Sequence, residues 1–383
     1  MPQVYLDNSA TTRVCPAAAA KAVEMMTDVF GNPSSLHTLG FRAEQELTAA
    51  RKAVAGLMGA QPEQITFTSG GTEANNLALF GAVAAHAREG KHIVTTAVEH
   101  ASVAGAIDRL EQQGYEVTRL VPDEHGLIDA PTIARACRPD TVLVAVMLVN
   151  NETGARFPIE QAVSGIRKIS PRAHIHCDAV QAAGKLPLYA ERWCLDSMTV
   201  SAHKIHGPKG VGALYLRRGC RILPRTYGGK QEGGLRPGTE AAPLIAAFGA
   251  AVAQLAPPHV QMTHYAALRQ RLLDRLGEHP AVRFHVPAVN VPYIIHLSVP
   301  GYKSETLLHF LAQKEIYVSS GSACSKGAKS PVLTAMGLPV EEIDSALRVS
   351  LCYENTQDDI DRFADGLLEA MTQLASRKEQ RHG

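Results

Sequence analysis

The sequence predicts an α/β fold, a mostly parallel sheet with helices on both sides, followed by a smaller α+β module. Between Ile65 and Ser201, short apolar strands alternate with amphipathic helices that stop at glycines. The run Thr141–Val149 is continuously apolar, as suits a strand buried on both faces. After Pro257-Pro258 the texture changes to two strands, a helix, further strands and a closing helix. A boundary near 257 follows, with 13–257 as a large domain and 1–12 plus 258–383 as a small one.

Taken in order, Val4-Tyr5-Leu6 reads as an extended entry and Asp7–Thr12 as a polar turn. A short helix and a Gly31-Asn32-Pro33-Ser34-Ser35 loop lead to a long helix over Leu36–Met58, stopped by Gly59. Strands are predicted at Ile65–Phe67, His92–Thr96, Val117–Val121, Thr141–Val149, His174–Cys177, Ser197–Ser201 and Val211–Leu216. Helices are predicted at Thr72–Arg88, Ser102–Gln113, near Pro131–Cys137 and at Ile159–Ile169. The uncharged stretch Ala241–His259 is interrupted by prolines and too weakly apolar for a membrane span, so it reads as a buried helix. Beyond it the pattern gives a helix over Met262–Leu276 and strands Val282–His285 and Tyr293–Ser298. Helix Glu305–Lys314, strand Ile316–Ser319, a short helix over Val332–Met336 and strand Ala346–Leu351 follow. A last helix is capped by Thr356 with Asp359.

The 383 residues carry 45% hydrophobic and 20% charged side chains, with a net charge of +1. That balance fits a soluble enzyme and offers no basic field for nucleic acid. The N-terminus lacks the pattern of a signal peptide. Seven dispersed cysteines without a CxxC pair argue against a disulfide framework or zinc site and for a reducing cytoplasm. No bound metal is expected.

Chemistry in such a sheet gathers at the carboxyl ends of its strands. After Ile65–Phe67, Thr68-Ser69-Gly70-Gly71-Thr72 opens a helix and offers free N–H groups, a hydroxyl and the helix dipole to a phosphate. A tight turn with a capping threonine explains the same residues. His100 could stack on a ring or move protons, and Asn150-Asn151 could hold a carboxylate or only cap a turn. Asp178, closing an apolar strand, needs a cationic partner such as a pyridinium nitrogen. Gln181 could reach a ring hydroxyl. Lys204 sits in a Gly/Pro-punctuated turn after Ser201 and His203, where partial desolvation would free its amine for a Schiff base with an aldehyde cofactor. Cys324 lies among glycines, serines and lysines in Ser319–Lys329, a setting that favours a reactive thiolate.

These stretches resemble the cysteine desulfurases of the NifS/IscS type. The resemblance is carried by Tyr5–Thr12, Gly31–Ser35, Thr68–Glu73, Glu99-His100, Val149–Gly154, Asp178–Gln181, His203-Lys204, Arg236–Thr239, Ser320–Cys324 and Leu347–Ser350. It implies the type I fold of pyridoxal-phosphate enzymes, with a seven-stranded, mostly parallel sheet, in a homodimer acting on L-cysteine. The implied roles are as follows. Lys204 bonds the pyridoxal phosphate and moves protons. Asp178 pairs with the pyridine nitrogen, Gln181 meets the ring oxygen, and His100 stacks on the ring. Gly71, Thr72, Ser201 and His203 hold the phosphate, joined by Thr239 of the partner subunit. Arg348, with Asn151 and Asn8, anchors the substrate. Cys324 takes the sulfur as a persulfide, alanine leaves, and an acceptor protein, either an iron–sulfur scaffold or a thiolation enzyme, receives the sulfur. Selenocysteine lyase and a catalytically idle sulfur-transfer platform are the alternatives. Three departures from the family pattern bear on the acceptor. Pro331 follows Cys324 early, residues 230–234 lack an arginine, and the chain ends soon after its last helix.

Overall fold

In the computed structural model of the chain, residues 3–123, 125–320 and 330–374 are described. The strands are β1 (Val4–Tyr5), β2 (Ile65–Thr68), β3 (His92–Thr96), β4 (Glu116–Leu120), β5 (Thr141–Ala145), β6 (His174–Asp178) and β7 (Ser197–Ser201). They continue with β8 (Gly212–Leu216), β9 (Arg283–Phe284), β10 (Ile294–Ser298), β11 (Ile316–Tyr317), β12 (Ser319–Ser320) and β13 (Ala346–Ser350).

Seven of these form one sheet in the order β2-β8-β7-β6-β5-β3-β4. Only β8 runs against the rest, because the connection from Ala202 to Val211, without a crossover helix, returns it alongside β7. The other six strands therefore end at the same edge, which is where the polar motifs lie. β3, β5, β6 and β7 are buried at every position, as expected of strands covered on both faces. One cover is helix Gly71–Ala85 with helix Ala101–Gln112, whose Leu79, Val83, Val103 and Ile107 pack on Ile93 and Leu143. Elsewhere, helix Thr38–Met58 and helix Ala242–Ala253 approach so closely that a Cβ on Gly249 would lie 2.6 Å from the Ala50 Cα.

β12-β13-β10-β9 form a separate antiparallel sheet. β1 pairs with β11, and Asp7 makes a bridge to Ser350 beside β13. The first residues of the chain are thus bound to its last third.

Most predicted elements are present, with three differences. The predicted strand Thr141–Val149 keeps strand pairing only to Ala145. Val146 and Leu148 still donate to His176 and Asp178 on β6, but on the other side β3 has ended. The Glu99 carboxylate takes the missing strand's place and accepts from the Met147 N–H at 2.9 Å. Ile316–Ser319 divides into β11 and β12, which belong to different sheets. Ala241–His259 is not one helix: it stops at Ala253, and the next begins at Pro258, where proline suits a first turn. The two helices are bent by 76°, and among the described residues no single helix is long and apolar enough to cross a membrane. The box of Thr356 and Asp359 forms as expected, whereas helix Val340–Asp344 was not anticipated.

Candidate active site

Lys204 closes a single 3-10 turn, Ala202–Lys204, directly after β7. Its Nζ donates to the Ser9 and Ala10 carbonyls at 2.5 and 2.8 Å. Burial disfavours the charged amine, and Arg348 and Lys185 repel it, which outweighs the pull of Asp7 and Asp178. The result is a pKa lowered to about 7. The desolvated lysine inferred from the turn is therefore present. A second lysine, not singled out in the sequence, lies beside it. Lys185 is buried, with burial lowering its pKa to about 8, and its Nζ donates to the Lys204 carbonyl at 3.1 Å.

Asp178 ends β6, one strand away, and is 5% exposed. Its Oδ1 accepts from the Val180 N–H and its Oδ2 from Asn75 Nδ2, at 3.0 and 2.8 Å. Among the described residues no ion pair neutralises it, so it remains a buried carboxylate in want of a cation. Asn75, also missed in the sequence, joins it to His100. The Ser102 N–H donates to His100 Nδ1, which assigns the ring proton to Nε2. The Ser102 hydroxyl then donates to the same Nδ1 at 2.8 Å and accepts from Asn75 Nδ2. Asn75 Oδ1 accepts from His176 Nε2 at 3.0 Å, and the Ser197 hydroxyl serves His176 Nδ1 at 2.8 Å. Every donor in this chain has one consistent direction. Burial lowers the pKa of His100, with Lys204 adding to the effect against the pull of Asp178, which favours the neutral ring, and among the described residues no hydrogen bond is made by Nε2. Asn75→Ala would strip Asp178 and Ser102 of a donor together. We expect it to reduce unfolding stability by about 1–3 kcal/mol, read from denaturant melts.

Gly71 and Thr72 open helix Gly71–Ala85 at the end of β2, so their N–H groups lack intrahelical partners. A Cβ on Gly71 would lie 3.6 Å from the Ser201 Cβ, which puts the helix start against the end of β7. His203 is held by Thr11 Oγ1 at 3.3 Å, and burial lowers its pKa to about 4. Gln181 Nε2 donates to the Ser9 carbonyl at 3.0 Å, while its buried Oε1 has no partner among the described residues.

Arg348 lies on β13 at 3% exposure. Its Nη1 donates to the Asn151 carbonyl and its Nη2 to Asp7 Oδ1, both at 2.8 Å, while Nε has no partner among the described residues. Asn151 thus meets Arg348 through its backbone. Asn8, expected to touch substrate, is put to another use. Its amide nitrogen is bound to the Ser350 carbonyl and Asn355 Oδ1, which ties the first turn to β13. Next to Asn151, Glu152 is buried, and Ser330 donates to its Oε2 at 2.5 Å. Burial raises its pKa to about 7. Thr239 is exposed, and no hydrogen bond among the described residues joins it to the cluster. Cys324 falls outside the described residues. Among those described, no cluster of side chains is arranged to hold a metal ion.

The residues fit pyridoxal phosphate on this geometry. They offer a buried carboxylate without an ion pair for a ring cation, a Gln181 oxygen with no partner among the described residues, an open helix N-terminus against Ser201, and a lysine with a pKa of about 7.

Residues 4–363 match the family described as aminotransferase class-V. A cysteine desulfurase of Nostoc sp. is 41% identical, the alignment covering 98% of this chain and 94% of that protein. The cysteine desulfurase IscS of Methanosarcina thermophila is 38% identical, over 97% and 92%. Among solved structures, a NifS-like protein superposes with a TM-score of 0.92 at 33% identity, over 97% of this chain and all of that one. SspA in complex with cysteine gives 0.81 at 31%, over 91% and 99%. With its strand-end lysine, aspartate and histidine on one edge of a seven-stranded sheet, the chain belongs to the class-V aminotransferase family, among the cysteine desulfurases of the NifS/IscS type.

Proposed function

We propose that the protein is an L-cysteine desulfurase that uses pyridoxal phosphate. The observation that carries this reading is the lowered pKa of Lys204 beside the unpaired Asp178 and the carboxylate-binding Arg348. When bound, the cofactor supplies an electron sink that lets the bond between carbon and sulfur break. Asp178 holds the ring cation and Gln181 the ring oxygen, while Gly71, Thr72, Ser201 and His203 surround the phosphate. Lys204, whose pKa of about 7 leaves both protonation states populated at neutral pH, is suited to accept and return a proton at Nζ. His100, with its proton on Nε2 and within electrostatic reach of Lys204, is a second group that could move a proton. Arg348 orients the amino acid through its carboxylate, a match for a planar guanidinium. Cys324 takes up the substrate's sulfur and passes it to an acceptor protein.

The same reading makes the enzyme a homodimer divided into 13–257 and 1–12 plus 258–383. Exposed Val23, Met26, Phe30, Leu36 and Phe41 offer an apolar surface for a second copy, and Thr239 is free to serve the partner's phosphate site. The pairing of β1 with β11 supports grouping the first residues with the last third.

The test is a turnover assay of the cofactor-loaded protein with L-cysteine and a reductant. Alanine and sulfide should appear in equal amounts. Keto acid formation without sulfide would instead make the protein an aminotransferase.

A further inference from the structure

Resting on the desulfurase reading, we propose that Asp7 holds on Arg348 the place of the substrate's carboxylate, so that amino acid binding exchanges one carboxylate for another. Arg348 is almost wholly buried, and a buried guanidinium requires a counter-charge. Asp7 supplies it, yet through a single oxygen.

The ion pair between Arg51 and Glu232 shows what a permanent pairing looks like in this protein. Glu232, with a side chain 2% exposed, uses both oxygens on Arg51, at 2.8 and 2.6 Å, and one of them also accepts from the Phe67 N–H. Asp7 has no such second anchor among the described residues. Its side chain is 20% exposed against 3% for Arg348, so it is the solvent-facing and replaceable member of the pair. Burial raises the Asp7 pKa, against the attraction of Arg348 and Lys204. Asp7 is thus within electrostatic reach both of Arg348, which would meet a substrate's carboxylate, and of the Lys204 amine.

The consequence is selectivity. A ligand with a carboxylate provides Arg348 with a replacement, and Asp7 is released. An amine without a carboxylate provides none and leaves the pair intact. Asp7→Asn keeps the shape and a neutral hydrogen-bond acceptor but leaves Arg348 without a counter-charge until a carboxylate arrives.

The experiment is calorimetric titration of the cofactor-loaded wild type and Asp7→Asn with L-alanine, the desulfurated product, and with cysteamine, which lacks the carboxylate. The variant is expected to bind L-alanine about tenfold tighter and cysteamine no tighter, a difference equivalent to about 1.4 kcal/mol. Its unliganded form should melt at a lower temperature, and L-alanine should raise that temperature more than in the wild type. Asp7→Ser is the second variant, with the same expectation should Asp7→Asn fail to fold. Equal or weaker L-alanine binding in a folded variant, with wild-type binding intact, would show that Asp7 only positions Arg348 and overturn the proposal. A wild type that binds neither L-alanine nor L-cysteine overturns the desulfurase reading itself, and the exchange with it.

Discussion

Lys204→Ala is expected to yield a folded protein that holds no pyridoxal phosphate covalently and turns over L-cysteine about a thousandfold more slowly or worse. Among the described residues the side chain makes hydrogen bonds only to the Ser9 and Ala10 carbonyls, so truncation removes a buried amine rather than a packing element. The amine's value lies in its protonation state. An ordinary lysine, with a pKa near 10.4, is about 99.9% protonated at pH 7 and a poor nucleophile. Burial and the neighbouring cations Arg348 and Lys185 bring Lys204 to about 7. Only the neutral amine reacts with the aldehyde. The rate of cofactor uptake by cofactor-free protein should therefore rise as pH increases through about 7 and level off above it. Uptake still rising steeply toward pH 10 would show a solvated lysine. The absorbance of the lysine-linked cofactor reports both the uptake and its loss in the variant.

Cys324→Ala is the second large effect. The variant is expected to keep the cofactor and bind L-cysteine, yet release sulfide at less than about a thousandth of the wild-type rate in the presence of a reductant. The reason is chemical: a thiolate is the nucleophile that can take a sulfur atom and hold it as a persulfide, and alanine has no such group. Normal turnover would mean that the leaving atom needs no protein thiol, as suits selenium in a selenocysteine lyase.

The residues readable from the sequence are those whose chemistry shows in the local pattern. Asp178 closes its strand, where an acidic residue is costly, while Lys204 and His100 lie in the short loops after theirs, Lys204 in a turn punctuated by glycine and proline. What supports them was hidden by separation along the chain. Asn75 reaches Asp178 across 103 positions, and Asp7 reaches Arg348 across 341. Asn75 carries no signal of its own within its helix, and Asp7 reads only as a member of a turn. Lys185 has no local pattern to mark its burial, which comes from packing with its Nζ 5.1 Å from the centre of the Tyr293 ring. Helix and strand identity followed from periodicity, as at Ile159–Ile169 and Ser197–Ser201, which fall where expected. Strand ends set by a neighbour's length, as at Ala145 beside the end of β3, have no local signal. Nor does the division of Ile316–Ser319 between two sheets, since partner choice is settled only when the chain is folded.

The central claim is that sulfur from L-cysteine comes to rest on Cys324. Mass measurement of the peptide containing that residue, after a brief reaction with L-cysteine and no reductant, tests it most directly. The expected result is a gain of one sulfur atom on Cys324, removed by a thiol reductant and absent in Lys204→Ala. An unmodified Cys324 alongside full alanine production would contradict it.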